Sequence, residues 1–305
     1  MKKLKLGTSD LNVSNISLGC MRMGKLSKDQ AAKVINSALD AGIDFFDHAD
    51  IYADGKSEEI FSDAIGMNSS VRENIVLQTK TGIRKGYFDF SKEHIVGSVE
   101  ESLKRLKTDY IDVLLLHRPD TLVEPEEVAE AFHELKKSGK VNHFGVSNHN
   151  PLQIELLKKY VEQDLIVNQL QLSVMHTGMI DKGLYVNMKH ENGLDRDGSL
   201  LDYSRLHNMT IQAWSPFQYG FFEGVFVDHD QFPELNEKLK EVGDKYGINK
   251  SATAIAWILR HPARIQPILG SMNPERITNI AKASEVVMTR EEWYEIYRAA
   301  GNELP

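Results

Sequence analysis

Short apolar runs alternate with longer amphipathic segments along this chain, at a spacing of roughly 30 residues, the size of one βα unit. The runs are Ile16–Leu18, Asp44–Asp47, Ile75–Thr79, Ile111–Leu116, His143–Val146, Ile166–Leu170, Thr210–Trp214 and Ile265–Ile268. Ile111–Leu116 is almost wholly apolar, the pattern of a strand buried on both faces, as parallel strands are. Helix signals lie between the runs. Ser27 and Ser91 stand at N-cap positions, Gly42 stops the first helix and Pro125 opens another. Ile95, Val99, Leu103 and Leu106 share one face of the segment after Ser91. Such alternation predicts an α/β fold with a parallel sheet. Eight units in 305 residues favour a closed (β/α)8 TIM barrel over an open doubly wound sheet, a choice that periodicity alone leaves undecided. No G-x-G-x-x-G follows the first run, so the usual Rossmann signal is missing. Lys2–Val13, turning at Gly7-Thr8-Ser9-Asp10, reads as an N-terminal β-hairpin, and extra C-terminal helices begin near Pro274 and Thr289. No linker-like tract interrupts the chain, so residues 1–305 are expected to form a single domain.

The 36 basic and 44 acidic residues leave a net charge of −8. That sign argues against nonspecific affinity for nucleic acid or anionic membrane, while leaving room for a local basic pocket. Cys20 is the only cysteine, so no disulfide within the chain and no cysteine metal cluster can form, which fits a reducing cytoplasm. Met1–Leu18 lacks the apolar core of a signal peptide, and no run of about 18 apolar residues offers a membrane span. These features point to a cytoplasmic protein with a small-molecule substrate.

In a barrel of this kind the reactive groups gather at the C-terminal ends of the strands. The second run ends in Asp47, with Tyr52 in the loop beyond; the third leads to Lys80, the fourth to His117, and the fifth to Ser147-Asn148. The sixth contains Gln169, and the seventh ends in Trp214-Ser215. Singly, each has an ordinary reading: a strand-end carboxylate is usually a cap, a lysine solvated, a histidine a structural hydrogen-bonder. Together, Asp47, Tyr52, Lys80 and His117 fall at the ends of three consecutive strands, which a barrel brings to one mouth. A tyrosine hydroxyl has a reference pKa of about 10, and a nearby ammonium lowers it. Tyr52 is therefore expected to act as a proton donor tuned by Lys80, with Asp47 holding the lysine and a neutral His117 orienting a substrate carbonyl.

At these residues the chain resembles the aldo-keto reductases, from Leu6 to about Ala300. Phe46-Asp47-His48-Ala49-Asp50-Ile51-Tyr52 looks like the family's F-D-x-A-x-x-Y segment, and Thr79-Lys80 like its strand-end lysine. Asp109-Tyr110-Ile111-Asp112 through Leu116-His117 looks like its D-Y-[IV]-D…L-L-H stretch, and Gly139-Lys140-Val141 with Gly145-Val146-Ser147-Asn148 looks like a further signature. Leu116-His117-Arg118-Pro119-Asp120 is most similar to the bacterial YdhF-type oxidoreductase branch. The resemblance implies hydride transfer from NADPH, ahead of NADH, to the carbonyl of an aldehyde or ketone. It implies catalytic roles for Asp47, Tyr52, Lys80 and His117. It also implies that Ser147, Asn148 and Gln169 hold the nicotinamide carboxamide and that Trp214 stacks on the ring. Ser215 and Phe217 would follow the pyrophosphate, and Met21 and Arg22 would line the cofactor mouth. Leu269-Gly270-Ser271-Met272-Asn273-Pro274-Glu275-Arg276-Ile277 is similar to the family's adenosine-phosphate segment, with Ser271 and Arg276 on a 2′-phosphate and the following helix adding its N-terminal dipole. Two departures stand out: Gly270 lies where many members have lysine, and Ile280 replaces a frequent asparagine, for which the adjacent Asn279 would substitute. A monomer is the family-like default.

Other readings remain open at this point. A nucleotide-binding regulatory module resembling potassium-channel β subunits would carry the same four residues, but no channel or tetramer motif is identified. A Schiff-base lyase would use Lys80 as nucleophile, a role that Asp47 opposes by keeping the lysine protonated. Eleven histidines raise a hydrolytic metal site, yet no metal-ligand spacing such as H-E-x-x-H occurs, and His143, His149, His176 and His190 read as surface or supporting residues. Substrate choice falls to loops at Lys80–Phe90, Pro119–Glu124, Leu172–Ser199 and Pro216–Phe232. The last carries Phe217, Tyr219, Phe221, Phe222 and Phe226, which either line a pocket or pack the loop onto the barrel.

Overall fold

The computed structural model describes residues 1–305. A hairpin of β1 (Lys3–Lys5) and β2 (Asn12–Ser14) comes first. Then follow β3 (Ser17–Gly19), α1 (Lys28–Asp40), β4 (Phe45–Asp47), α2 (Lys56–Ile65), α3 (Ser69–Arg72) and β5 (Val76–Thr81). A two-stranded excursion, β6 (Ile83–Arg84) and β7 (Tyr87–Phe88), precedes α4 (Lys92–Leu106), β8 (Ile111–Leu116), α5 (Pro125–Lys137), β9 (Val141–Ser147), α6 (Pro151–Lys158) and β10 (Leu165–Gln171). The chain continues through α7 (Gly178–Leu184), α8 (Leu200–Leu206), β11 (Thr210–Trp214), α9 (Pro233–Tyr246), α10 (Lys250–Arg260), β12 (Gln266–Leu269), α11 (Pro274–Ala281) and α12 (Arg290–Ala299). The parallel strands close in the order β3-β4-β5-β8-β9-β10-β11-β12, so the expected (β/α)8 barrel with its N-terminal hairpin is the observed fold.

The helix signals act as read. Ser27 forms a capping box with Gln30 at the start of α1, and the Ser91 side chain accepts the His94 N–H at the start of α4. Three elements fall in or between segments read as loops or left unassigned: α3, the β6–β7 pair and α7. Each is short, and α7 carries Gly178 and Gly183, which weaken any helix signal.

Alternation along each strand decides what faces the barrel interior. At the N-terminal end, Leu6 and Val13 from the hairpin region pack with Phe45, Val113, Leu115, Ile166 and Val167, which plugs the floor. Gly145 permits this closure, because a Cβ there would lie 2.7 Å from the Val167 carbonyl oxygen. Two positions beyond Phe45, Leu115, Gly145 and Val167 lie Asp47, His117, Ser147 and Gln169, and Lys80 and Trp214 stand near the C-terminal ends of β5 and β11. The outer helices share a larger core; α12 docks on α10 by stacking Trp293 on Trp257, 4.7 Å between ring centres, with each indole N–H donating to the other residue's carbonyl. No helix is long and apolar enough to cross a membrane.

Candidate active site

The strand ends bring four predicted residues into one hydrogen-bonded unit. Lys80 is fully buried, and its Nζ donates to Asp47 Oδ2 at 2.8 Å, to the His48 carbonyl at 2.7 Å and to Tyr52 Oη at 3.1 Å. His117 faces Tyr52 across the mouth, 6.1 Å between ring centres and nearly perpendicular. Its Nδ1 is sealed and has no partner, so the neutral ring presents its other nitrogen to the cleft. Burial, and then the positive Lys80 and Arg118, hold the His117 pKa well below the usual histidine range.

Asp47 is fixed from the opposite side. Its Oδ1 accepts from Gln78 Nε2 at 2.6 Å and from Gln169 Nε2 at 3.0 Å. Both amides also donate to Gln212 Oε1, at 2.8 and 3.1 Å, and Gln212 donates to Gln266, which donates to the Ser14 carbonyl. A layer of buried amides thus runs from Asp47 to the hairpin, and the sequence reading recognised only Gln169 of it.

The tuning of Tyr52 differs from expectation. Burial pushes the hydroxyl above its ordinary value, with Lys80 opposing and Asp47 adding to the rise. Burial also works against the Lys80 ammonium, but Asp47 and Tyr52 outweigh it, and its pKa is raised. Tyr52 is therefore a protonated phenol held against a permanent cation, not a phenol shifted toward pH 7.

A cleft of about 890 Å³ runs from this mouth to the start of α11. It is lined by Asp47, Tyr52, His117, Met21, Arg22, Ser147, Asn148, Gln169, Trp214, Ser215 and Phe217, and at its far end by Gly270, Ser271, Arg276 and Asn279. Lys80 sits behind this surface. Leu269 does not line the cleft: it is fully buried among the outer helices, because Gln266 and Ile268 take the inward register and Leu269 points the other way. Ile280 is likewise buried, whereas Asn279, one position earlier, faces the cleft. Sequence reasoning missed Arg118, Asn249, Ser251 and Asn273 on the cleft wall; of these Arg118 had a signal in its place directly after His117, and Asn273 in lying within the segment similar to the family's adenosine-phosphate one.

The cleft suits a nicotinamide dinucleotide. Asn148 and Ser215 hold left-handed backbones, φ 61° and 52°, at the ends of β9 and β11, the kind of strain found at ligand sites. Ser147 Oγ donates to the Gln169 carbonyl, and Asn148 donates to Ser147 and accepts the Trp214 indole N–H at 3.1 Å, so the Trp214 ring is held in place. Gln169 spends its NH₂ on Asp47 and Gln212, which leaves its oxygen to accept from a carboxamide. At the far end Asn273 caps α11, and the Arg276 guanidinium has no protein partner. The aromatics of the loop after β11 divide: Phe226 is buried, Phe217 and Tyr219 pack on the core, and Phe221 and Phe222 are exposed, Phe222 on the cleft wall. His149 is buried rather than on the surface, stacked on Phe90, and no group of three or more His, Cys, Asp or Glu is placed to share a metal ion.

Comparison with known proteins agrees with this geometry. The profile described as the aldo/keto reductase family matches residues 15–300. The chain belongs to that family, and its barrel is that of an oxidoreductase. It is 35% identical to a 6-dehydroglucose reductase of Agrobacterium fabrum over 97% of both chains. It is 34% identical to the oxidoreductase YdhF of Escherichia coli, covering 92% of this chain and 91% of that one. Its structure is similar to an aldo/keto reductase from Klebsiella pneumoniae solved in complex with NADP and acetate, with a TM-score of 0.78 and 25% identity over 98% and 95% of the two chains.

Proposed function

We propose that the protein is an NADPH-dependent reductase of aldehydes or ketones, with Tyr52 as the general acid. The observation that carries this reading is the Tyr52 hydroxyl, 3.1 Å from a fully buried ammonium at the barrel mouth. When bound, the nicotinamide supplies the hydride. Tyr52 gives its proton to the carbonyl oxygen, and Lys80 stabilises the phenolate that is left. Asp47 and the His48 carbonyl keep Lys80 charged and aimed. Neutral His117 donates a hydrogen bond to the same oxygen and orients it. Ser147, Asn148 and Gln169 would hold the carboxamide, Trp214 the ring, and Ser271, Arg276 and Asn279 the adenosine phosphate, with Arg276 favouring a 2′-phosphate.

The test is loss of NADPH absorbance with a panel of aldehydes, 6-dehydroglucose among them because a relative is named for it. In Tyr52→Phe, kcat should fall by about 10²-fold or more, the usual worth of a positioned acid. Nucleotide binding without turnover of any carbonyl by the wild type would favour a regulatory role instead.

A further inference from the structure

Arg118 follows His117 directly at the end of β8 and lines the cleft beside Tyr52 and Trp214. Its guanidinium lies 5.7 Å from the Trp214 ring centre. No carboxylate or carbonyl of the protein accepts a hydrogen bond from it, although buried cations are ordinarily paired. The acids on the same wall are spoken for or distant. Asp47 is bound by Lys80, Asp228 pairs with Lys250, and Glu275 stands beside Arg276 at the far end. Burial pulls the Arg118 pKa down, and only Tyr52 among ionisable neighbours acts against it, so no fixed anion compensates this charge. A half-buried guanidinium with five free donors is complementary to a planar carboxylate, which it can grip through two parallel hydrogen bonds.

We propose that Arg118 anchors a carboxylate on the substrate, so that the compound reduced here is a short oxo acid or aldehyde acid. The carboxylate stands a few bonds from the reacting carbon, because the guanidinium adjoins the groups that would hold the carbonyl oxygen. This inference rests on the reductase reading above.

The test compares succinic semialdehyde with butanal, which differ by the carboxylate, in wild type, Arg118→Met and Arg118→Lys. The wild type should prefer the acid in kcat/KM by roughly tenfold or more, the worth of a charge-assisted hydrogen bond. Arg118→Met should lose that preference through KM, and Arg118→Lys should recover part of it. Turnover of both aldehydes at equal kcat/KM by the wild type overturns the anchor and leaves the reductase intact. Should neither aldehyde be turned over, titration calorimetry of succinate into the NADP+-loaded enzyme still decides. Binding lost in Arg118→Met supports the anchor, and binding that is absent, or equal in the two proteins, overturns it.

Discussion

Residues at the two ends of the cleft make separable predictions. The Arg276 guanidinium has no partner within the protein and stands at the N-terminus of α11, where an added phosphate meets both a charge and free N–H groups. Arg276→Ala should therefore raise the NADPH Kd by about 10- to 100-fold, the scale of a charged hydrogen bond, and change NADH binding far less. Equal losses for the two nucleotides, read by fluorescence titration, would show that the residue does not recognise the 2′-phosphate. At the other end, the reduction proposed above would need Tyr52 protonated and His117 neutral. Burial raises the tyrosine above its reference of about 10 and holds the histidine well below its usual range. Neither group then changes state between pH 6 and 9, so neither should put a limb into kcat/KM there. Asp50, half enclosed and raised to about 7 by burial and by Glu58, is the nearby group that titrates in this window. A limb near pH 7 that persists in Asp50→Asn would contradict the assignment of Tyr52 and His117.

At the scale of elements, the interior glutamines join strands that the chain separates widely. Gln78 on β5, Gln169 on β10, Gln212 on β11 and Gln266 on β12 form one network, with Gln212 accepting two hydrogen bonds and donating a third. Gln212→Leu would remove those three bonds and leave buried amides unpaired, at a cost of about 3 kcal/mol. A urea midpoint that moves by less than the equivalent of about 0.5 kcal/mol would mean that the layer carries no such energy. This layer also marks where sequence reading ends. The barrel strands and most helices were legible because their apolar runs and caps are local. Tyr52, Lys80, Asp47 and His117 were legible because strand ends converge in any such barrel. Gln78, Gln212 and Gln266 were not, because a glutamine in a strand acquires meaning only from neighbours across the barrel. Leu269 failed for a related reason: one step along a strand reverses the face, and a motif match does not report register.

Over the whole molecule, burial of neutral histidines sets the acid limit. His48 is fully buried with both ring nitrogens unpartnered against Phe61, and burial lowers its pKa to about 3. Burial likewise lowers His149 and His261 to about 4 each. The unfolded chain protonates these rings near pH 6.5, whereas the folded chain does not. Between pH 6.5 and 4 the unfolded state thus binds more protons, and stability falls as pH falls. At pH 5 each ring withdraws about 2 kcal/mol, or about 6 in sum, from a total that is ordinarily about 5–15 kcal/mol. Asp50 acts in the opposite sense: its folded pKa lies above the unfolded value, so acidification from pH 7 to 5 relieves a penalty of about 2 kcal/mol. Taken together, these four groups give a loss of about 4 kcal/mol by pH 5, before most carboxylates titrate. His48→Leu removes one ionisable ring and two orphaned nitrogens from an apolar site. It should raise Tm at pH 5 by about 4 °C more than at pH 8. A wild-type Tm constant from pH 8 to 5, or an equal shift from His48→Leu at both pH values, would show that these rings find proton partners in the folded state.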